Sequence, residues 1–178
     1  MLVNFKSKDL FENVKFILKK DNIEISDLDN INSINLNGKK INGEKTDVEI
    51  SEINKLKNLE SFVISNFTLK DEDIKCINTL KKLKIIQFEN CDFKDVKEQI
   101  NADIEYLTIE ACSNFKIDKI CKTKAIKSLK IYGCIVDIKE IRKFKNLNKL
   151  HIEGSHIINA DKINTLNKLQ EIVLERNI

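Results

Sequence analysis

Apolar residues recur at fixed offsets in the stretch from Ile126 to Val136. Within it, apolar side chains occupy the first, fourth, sixth and eleventh places (Ile126, Leu129, Ile131 and Val136), and Cys134 occupies the ninth. The same offsets return in six further stretches, which start at Ile31, Leu59, Leu83, Ile104, Leu147 and Leu169. A pattern that returns along almost the whole chain predicts a repeat architecture.

The interval between these stretches is nearly constant. Their fourth-place residues are Ile34, Phe62, Ile86, Leu107, Leu129, Leu150 and Ile172. After two longer steps, the interval settles at about 22 residues. Apolar residues at places four and six predict a short strand in each repeat. Beyond the strand the apolar spacing changes to three, as at Ile74, Ile77 and Leu80, which favours 3₁₀ or short helical turns. Stacking such units predicts one parallel sheet.

The pattern L-x-x-L-x-L-x-x-N/C-x-L resembles the leucine-rich repeat family, in particular the short repeats of about 22 residues found in internalin-like proteins. The resemblance covers residues 23–178, with about seven repeats. It implies an α/β solenoid in which a curved parallel sheet forms the concave side and 3₁₀ or short helices form the convex side. It also implies that Asn or Cys at the ninth place bonds the loop backbone, and that the protein binds other proteins.

The two ends of the chain call for separate expectations. Residues 1–22 are expected to form an N-terminal helical cap over the first repeat, because Leu10, Val14 and Ile17 have helical spacing. A free-standing partner helix is the alternative. At the other end, the chain stops inside the seventh repeat without a polar closing segment. Self-association through apolar residues such as Leu174, or a longer protein of which the chain is a fragment, is therefore the expectation.

Glycine and asparagine dominate the eighth place of the repeats. Gly38, Gly133 and Gly154 occupy it in three repeats, and Asn66 and Asn90 in two others. Both residue types tolerate left-handed backbone angles, so this place is predicted to be a sharp bend that leaves the strand. The residues between Ile41 and Ile50 account for the longest step and are predicted to form a surface loop.

Three of the five cysteines, Cys91, Cys112 and Cys134, occupy the ninth place of successive repeats. Lys39 and Phe67 depart from the family pattern at that place. A metal site or redox pair is the chemical alternative, but no C-x-x-C spacing exists, and Cys76 and Cys121 fall on return segments. The cysteines are therefore expected to be reduced and structural, with no metal and no cofactor.

Side chains alternate along a strand, so places three, five and seven are predicted to point onto the concave surface. The candidate partner-binding residues there are Ile85, Gln87, Glu89, Tyr106, Thr108, Glu110, Lys130, Tyr132, Lys149, His151, Glu153 and Glu175. Both tyrosines of the chain are among them, and tyrosine is common at interface anchors. A plainer interpretation is an ordinary polar surface on which Lys130 forms weak pairs with Glu110 and Glu153.

Composition narrows the function without naming a partner. The net charge is only +3, and 31 basic residues are interspersed with 28 acidic ones, so no dense basic patch predicts nucleic-acid binding. No apolar run is long enough to span a membrane, and residues 1–20 lack the uninterrupted apolar segment of a secretory signal. Together with five reduced cysteines, this favours a cytoplasmic protein.

Two functional hypotheses remain. The first is a non-catalytic protein–protein interaction module, in which Tyr106, Tyr132 and His151 of the concave face contact a partner. Four of the seven residues at place seven are glutamates. This acidic stripe favours a basic partner, chiefly because it raises the rate of encounter. The second is a structural or self-assembling role through the C-terminal repeat. Catalysis is not expected, because His151 and Glu153 have no nucleophile beside them and no phosphate-binding loop is present.

Overall fold

The computed structural model describes residues 2–38, 50–117 and 125–178. Lys39, Cys121 and nearly all of the loop predicted between Ile41 and Ile50 lie outside these ranges. The prediction of that loop is therefore not tested.

One strand per repeat builds the main sheet. The strands are β1 (Ser33–Asn37), β2 (Ser61–Ser65), β3 (Ile85–Glu89), β4 (Tyr106–Glu110), β5 (Ser128–Tyr132), β7 (Lys149–Glu153) and β9 (Glu171–Glu175). They are hydrogen-bonded in chain order and all neighbouring pairs are parallel. Equivalent places face each other throughout, as in the run Leu107, Leu129 and Leu150. The predicted parallel leucine-rich repeat sheet is confirmed.

The return segments differ from repeat to repeat. Within the described residues, α-helices span Lys8–Leu18 (α1), Asp71–Asn78 (α2) and Ile138–Ile141 (α3), and 3₁₀ helices span Ile25–Asn30, Ile53–Lys55 and Ala160–Thr165. Residues 90–105, all of which are described, form turns without a helix. A second parallel pair, β6 (Ile135–Asp137) with β8 (His156–Ile158), follows the bend after β5 and β7. His156, at the tenth place of its repeat, is exposed and is the first residue of β8.

Places four and six of the strands form the core. In β4, for example, Leu107 is 1% exposed and Ile109 is fully buried. Phenylalanines extend this core towards the convex side, because Phe93 packs edge-on against Phe88 at 5.2 Å and against Phe115 at 5.6 Å between ring centroids. The core therefore runs along the stack, and each repeat buries its apolar residues against its neighbours.

Helix α1 covers the first repeat. Ser7 caps its N-terminus, since the Ser7 Oγ accepts a hydrogen bond from the Leu10 amide at 3.2 Å. Leu10 and Val14 are fully buried. The Glu52 carboxylate, in the turn before β2, accepts hydrogen bonds from the amides of Lys6 and Ser7 and ties the chain before α1 to the second repeat. The fold with an N-terminal helical cap is confirmed, whereas the domain limits at residues 22 and 23 stay a prediction.

The eighth place has left-handed backbone angles in every described repeat from the second onward. The φ values are +65° at Asn66, +49° at Asn90, +49° at Ala111, +61° at Gly133, +57° at Gly154 and +51° at Arg176. The predicted bend is confirmed at four of these positions, and Ala111 and Arg176 adopt it although alanine and arginine disfavour it.

This strain predicts opposite effects for two substitutions. Ala111→Gly relieves the Cβ clash of a left-handed residue and should stabilise the protein by about 1 kcal/mol, whereas Gly133→Ala should destabilise it by about the same amount. A Cβ at Gly133 would have its nearest neighbour, the Ala111 Cα, 3.9 Å away, so the cost there is conformational and not steric. Urea unfolding of the two variants measures both effects, and equal stabilities would contradict this account of the bend.

Candidate functional site

The structure brings all twelve candidate residues onto the concave face in three rows, each running across the strands. The place-three row contains Ile85, Tyr106 and Lys149; the place-five row contains Gln87, Thr108, Lys130 and His151; the place-seven row contains Glu89, Glu110, Tyr132, Glu153 and Glu175. Ser65 and Ser128 also lie on this face, but they are buried, with only 5% and 9% of their surfaces exposed. The side chains of this face are thus less evenly exposed than strand alternation predicts.

An apolar pair stands out in the place-three row. Ile85 and Tyr106 lie directly opposite each other on β3 and β4, and they are 43% and 46% exposed. Further along the row, the Lys149 Nζ lies 2.9 Å from a Glu171 carboxylate oxygen. Their hydrogen bond raises the pKa of Lys149 and lowers the pKa of Glu171. This ion pair lies at the C-terminal end of the row.

The carboxylates of the place-seven row differ in their partners. Glu89 accepts hydrogen bonds from the Ser65 Oγ at 2.7 Å and from the Gln87 Nε2 at 2.6 Å. Glu153 has the Arg176 Nη1 at 3.6 Å. Within the described residues, the carboxylates of Glu110 and Glu175 have no ion pair and no side-chain hydrogen bond. The row therefore offers negative charge that the described residues do not fully neutralise.

Tyr132 and His151 form an aromatic pair among these carboxylates. Their rings meet edge-to-face with centroids 5.1 Å apart. Burial, followed by the charges of Glu153 and Glu110, raises the pKa of Tyr132. The buried His151 Nε2 has no hydrogen-bond partner within the described residues, since the Glu153 Oε2 lies 3.6 Å away. Packing thus holds the Tyr132 ring in place between Glu110 and Glu153, an arrangement suited to a cation.

Lys130 does not neutralise the acidic row. Although Lys130 is exposed between Thr108 and His151 in the place-five row, the described part of the chain gives it no ion pair. The weak pairs with Glu110 and Glu153 that the plainer interpretation requires are therefore not formed in this structure.

The ninth-place residues form a ladder beneath the bends. The thiols of Cys91, Cys112 and Cys134 donate to the carbonyls of the last residues of the preceding strands, for example from the Cys112 Sγ to the Glu110 carbonyl at 3.3 Å. The ladder continues through Ser155, whose Oγ accepts from the Cys134 amide at 3.2 Å, to Asn177, whose Oδ1 accepts from the Ser155 amide at 3.0 Å. These contacts support a structural role. Phe67 departs from the pattern and fills the place with a buried ring.

The thiols of the ladder are poorly suited to reaction. The hydrogen bond with Cys91, together with burial, raises the pKa of Cys112, and burial raises the pKa of Cys134. Because the thiolate is the reactive form, these thiols should react slowly. Cys76, on α2, also has a pKa raised by burial.

We therefore expect native protein to react with a thiol reagent slowly at the ladder and fully only when unfolded. Under denaturing, non-reducing conditions all five cysteines should titrate as thiols. Mass spectrometry of the labelled peptides identifies which cysteines react first. Fewer than five thiols after unfolding, or immediate labelling of Cys112 and Cys134 in the native protein, would contradict the structural role.

Two other features are absent from the described residues. No group of three or more His, Cys, Asp or Glu residues is arranged to hold a metal ion in residues 2–38, 50–117 and 125–178. Within the same ranges, no helix has the length and apolar character that crossing a bilayer requires.

Comparison with solved structures supports the fold. The secreted internalin-like protein Lmo2445 of Listeria monocytogenes is similar to this chain with a TM-score of 0.58 and 17% identity, over 98% of this chain and 68% of that one. Internalin C2 of the same organism aligns with a TM-score of 0.42 and 17% identity, over 96% and 94% of the two chains. The likeness to Lmo2445, together with the parallel sheet, confirms the internalin-like leucine-rich repeat fold. That Lmo2445 is secreted lends no support to the expected cytoplasmic location.

Sequence comparison is less specific. A putative adenylate cyclase regulatory protein of Trypanosoma equiperdum is 26% identical over 122 residues, which is 66% of this chain and 19% of that protein. The matched part of the chain thus corresponds to about a fifth of that relative's length. No family model matches the chain.

Proposed function

We propose that the protein is a non-catalytic interaction module that binds a partner protein on the concave face of its main sheet. The observation that carries this proposal is an aromatic and acidic surface on two adjacent strands, where the exposed Tyr106 lies at place three of β4 and the half-buried Tyr132 of β5 lies opposite Glu110, whose carboxylate no described residue neutralises. Exposed tyrosines on a rigid surface are typical interface anchors. The leucine-rich repeat fold supplies such a surface, since each repeat adds one strand to a continuous curved sheet.

Capture from an extract of the source cell tests the proposal. Thr108→Arg places a long cationic side chain in the middle of the face, and we expect it to abolish capture of a protein that the unaltered chain retains. Thr79→Arg is the matched control, because Thr79 is exposed next to the C-terminus of α2 on the convex side. If Thr79→Arg abolished capture and Thr108→Arg did not, the partner would bind elsewhere.

A second candidate function is self-association, favoured by the apolar residues of β9. Ile172 and Leu174 are about half exposed, whereas Leu150 and Ile152 at the same places of β7 are buried. Apolar surface of this kind associates with a complementary surface. If it joins two copies, light scattering should show a concentration-dependent rise in mass that Leu174→Glu abolishes. A strictly monomeric protein at high concentration would contradict this role.

A further inference from the structure

Two chemically different strips lie on opposite margins of the concave face. The apolar strip is the pair Ile85 and Tyr106 at place three. The acidic strip is the place-seven row from Glu89 to Glu175, which Tyr132 interrupts at its centre. Places three and seven are four residue steps apart along a strand, so the two strips lie about 13 Å apart.

The charge of the face is opposite to that of the chain. Across places three, five and seven of all repeats, the face carries five glutamates and two lysines, a formal net charge of −3, whereas the whole chain carries +3. Lys149 is already paired with Glu171. A partner that approaches this face therefore gains most from cationic side chains along place seven.

We infer that the occupant of the concave face is a basic amphipathic α-helix of a partner protein, lying across the strands with its apolar side on Ile85 and Tyr106 and its cationic side on the place-seven row. This rests on the proposed function and names the class of partner. With its side chains a helix is about 11 Å wide, close to the separation of about 13 Å between the strips, and long cationic side chains on one flank extend its reach, so it can contact both strips at once. A single extended strand presents one line of alternate side chains to a surface and would address only one strip.

The repeat distances of the two surfaces agree. Adjacent strands lie about 4.8 Å apart, and one helical turn advances about 5.4 Å, so a helix with one Arg or Lys per turn meets about one strand per turn. From Glu89 to Glu175 the row covers five strands, or about 19 Å, which about 13 helical residues span. One cation then lies on the Tyr132 ring with a carboxylate on each side, from Glu110 and Glu153.

Binding of a synthetic helix tests the inference without a known partner. The probe is an alanine-based peptide of about 15 residues, a length at which a free helix is only marginally stable. It carries an arginine at each turn along one side and leucines along the adjacent side. A control peptide of the same composition in scrambled order has no separate arginine and leucine sides. A third peptide carries glutamate in place of arginine. Fluorescence anisotropy measures affinity, and circular dichroism measures helix gained on binding.

Two protein variants with equal changes in net charge complete the experiment. The first is Glu110→Gln with Glu153→Gln, which removes the carboxylates on either side of Tyr132. The second is Glu12→Gln with Glu72→Gln, which removes two carboxylates at exposed sites off the face.

The expected result is that only the patterned arginine peptide binds and gains helicity, and that the Glu110 and Glu153 variant binds it about tenfold more weakly, since each exposed ion pair contributes up to about 1 kcal/mol. The Glu12 and Glu72 variant should bind it normally. Equal binding of the scrambled peptide, equal affinity of both variants, preference for the glutamate peptide, or no binding of any peptide would each overturn the inference. The capture experiment with Thr108→Arg is independent of these outcomes, so a failed helix can be distinguished from a failed concave interface.

Discussion

Replacing Phe88 by alanine should destabilise the protein by about 3 to 5 kcal/mol. The Phe88 side chain is fully buried at place six of β3 and packs edge-on against Phe93. Its removal leaves a cavity in the centre of the stack, where the repeats on either side limit how far the site can collapse. The loss is a large fraction of the total stability of a domain, which is on the order of 10 kcal/mol.

Urea unfolding followed by circular dichroism measures this loss. Phe16→Ala is the matched control, because the Phe16 side chain lies on α1 and is 83% exposed. We expect that variant to change the free energy of unfolding by no more than about 0.5 kcal/mol. Similar losses in the two variants would show that Phe88 does not occupy a continuous core.

The second large effect concerns binding. Tyr106→Ala combined with Tyr132→Ala should weaken binding of a partner identified by capture by about 30-fold or more, which corresponds to about 2 kcal/mol. The reason is that both rings lie on the concave face, one exposed beside Ile85 and the other held against His151 between carboxylates. The chain has no other tyrosine, so the double variant removes this anchor chemistry completely.

Calorimetric titration with the purified partner gives the affinity. The conservative pair Tyr106→Phe and Tyr132→Phe retains the ring area and should bind within a few-fold of the unaltered protein. Circular dichroism checks that both double variants remain folded. An unchanged affinity for the alanine pair would exclude the two tyrosines as anchors of the interface.

The sequence alone was sufficient to predict the main sheet. Places four and six of each repeat, such as Leu129 and Ile131, are apolar because the core on one side of the sheet is continuous, and their interval fixes which strands become neighbours. The family resemblance predicts the ninth-place ladder, and its thiols, together with Ser155 and Asn177, make the expected backbone contacts.

Other features depend on tertiary contacts that a local pattern does not encode. Ala111 and Arg176 adopt left-handed angles although their residue types give no signal for them, since the bends stacked against them, on both sides of Ala111 and on one side of Arg176, impose the conformation. The pair β6 and β8 was not predicted, because strands of three residues are too short to show alternation. Ser65 is buried where its hydroxyl donates a hydrogen bond to Glu89 on the next strand. No pattern within a single repeat indicates this contact.

The candidate site, too, is predictable from the sequence only in part. Strand alternation was enough to place Tyr132, Glu110 and Glu153 in one row, and the structure has them on neighbouring strands. Whether Lys130 would neutralise that row could not be read from the sequence, since the answer depends on side-chain rotamers. The edge-to-face packing of His151 on Tyr132 was likewise beyond a linear pattern.

The central claim is that the repeats stack in register, so that equivalent places lie on neighbouring strands and the same rows reach the concave surface. Methyl–methyl nuclear Overhauser effects in the folded protein test it most directly. The account predicts strong effects from Leu107 to Leu129 and from Leu129 to Leu150, which face each other on β4, β5 and β7. If these were absent and Leu129 instead showed contacts to residues at other places of the neighbouring repeats, the stacked sheet and the concave binding face would both be wrong.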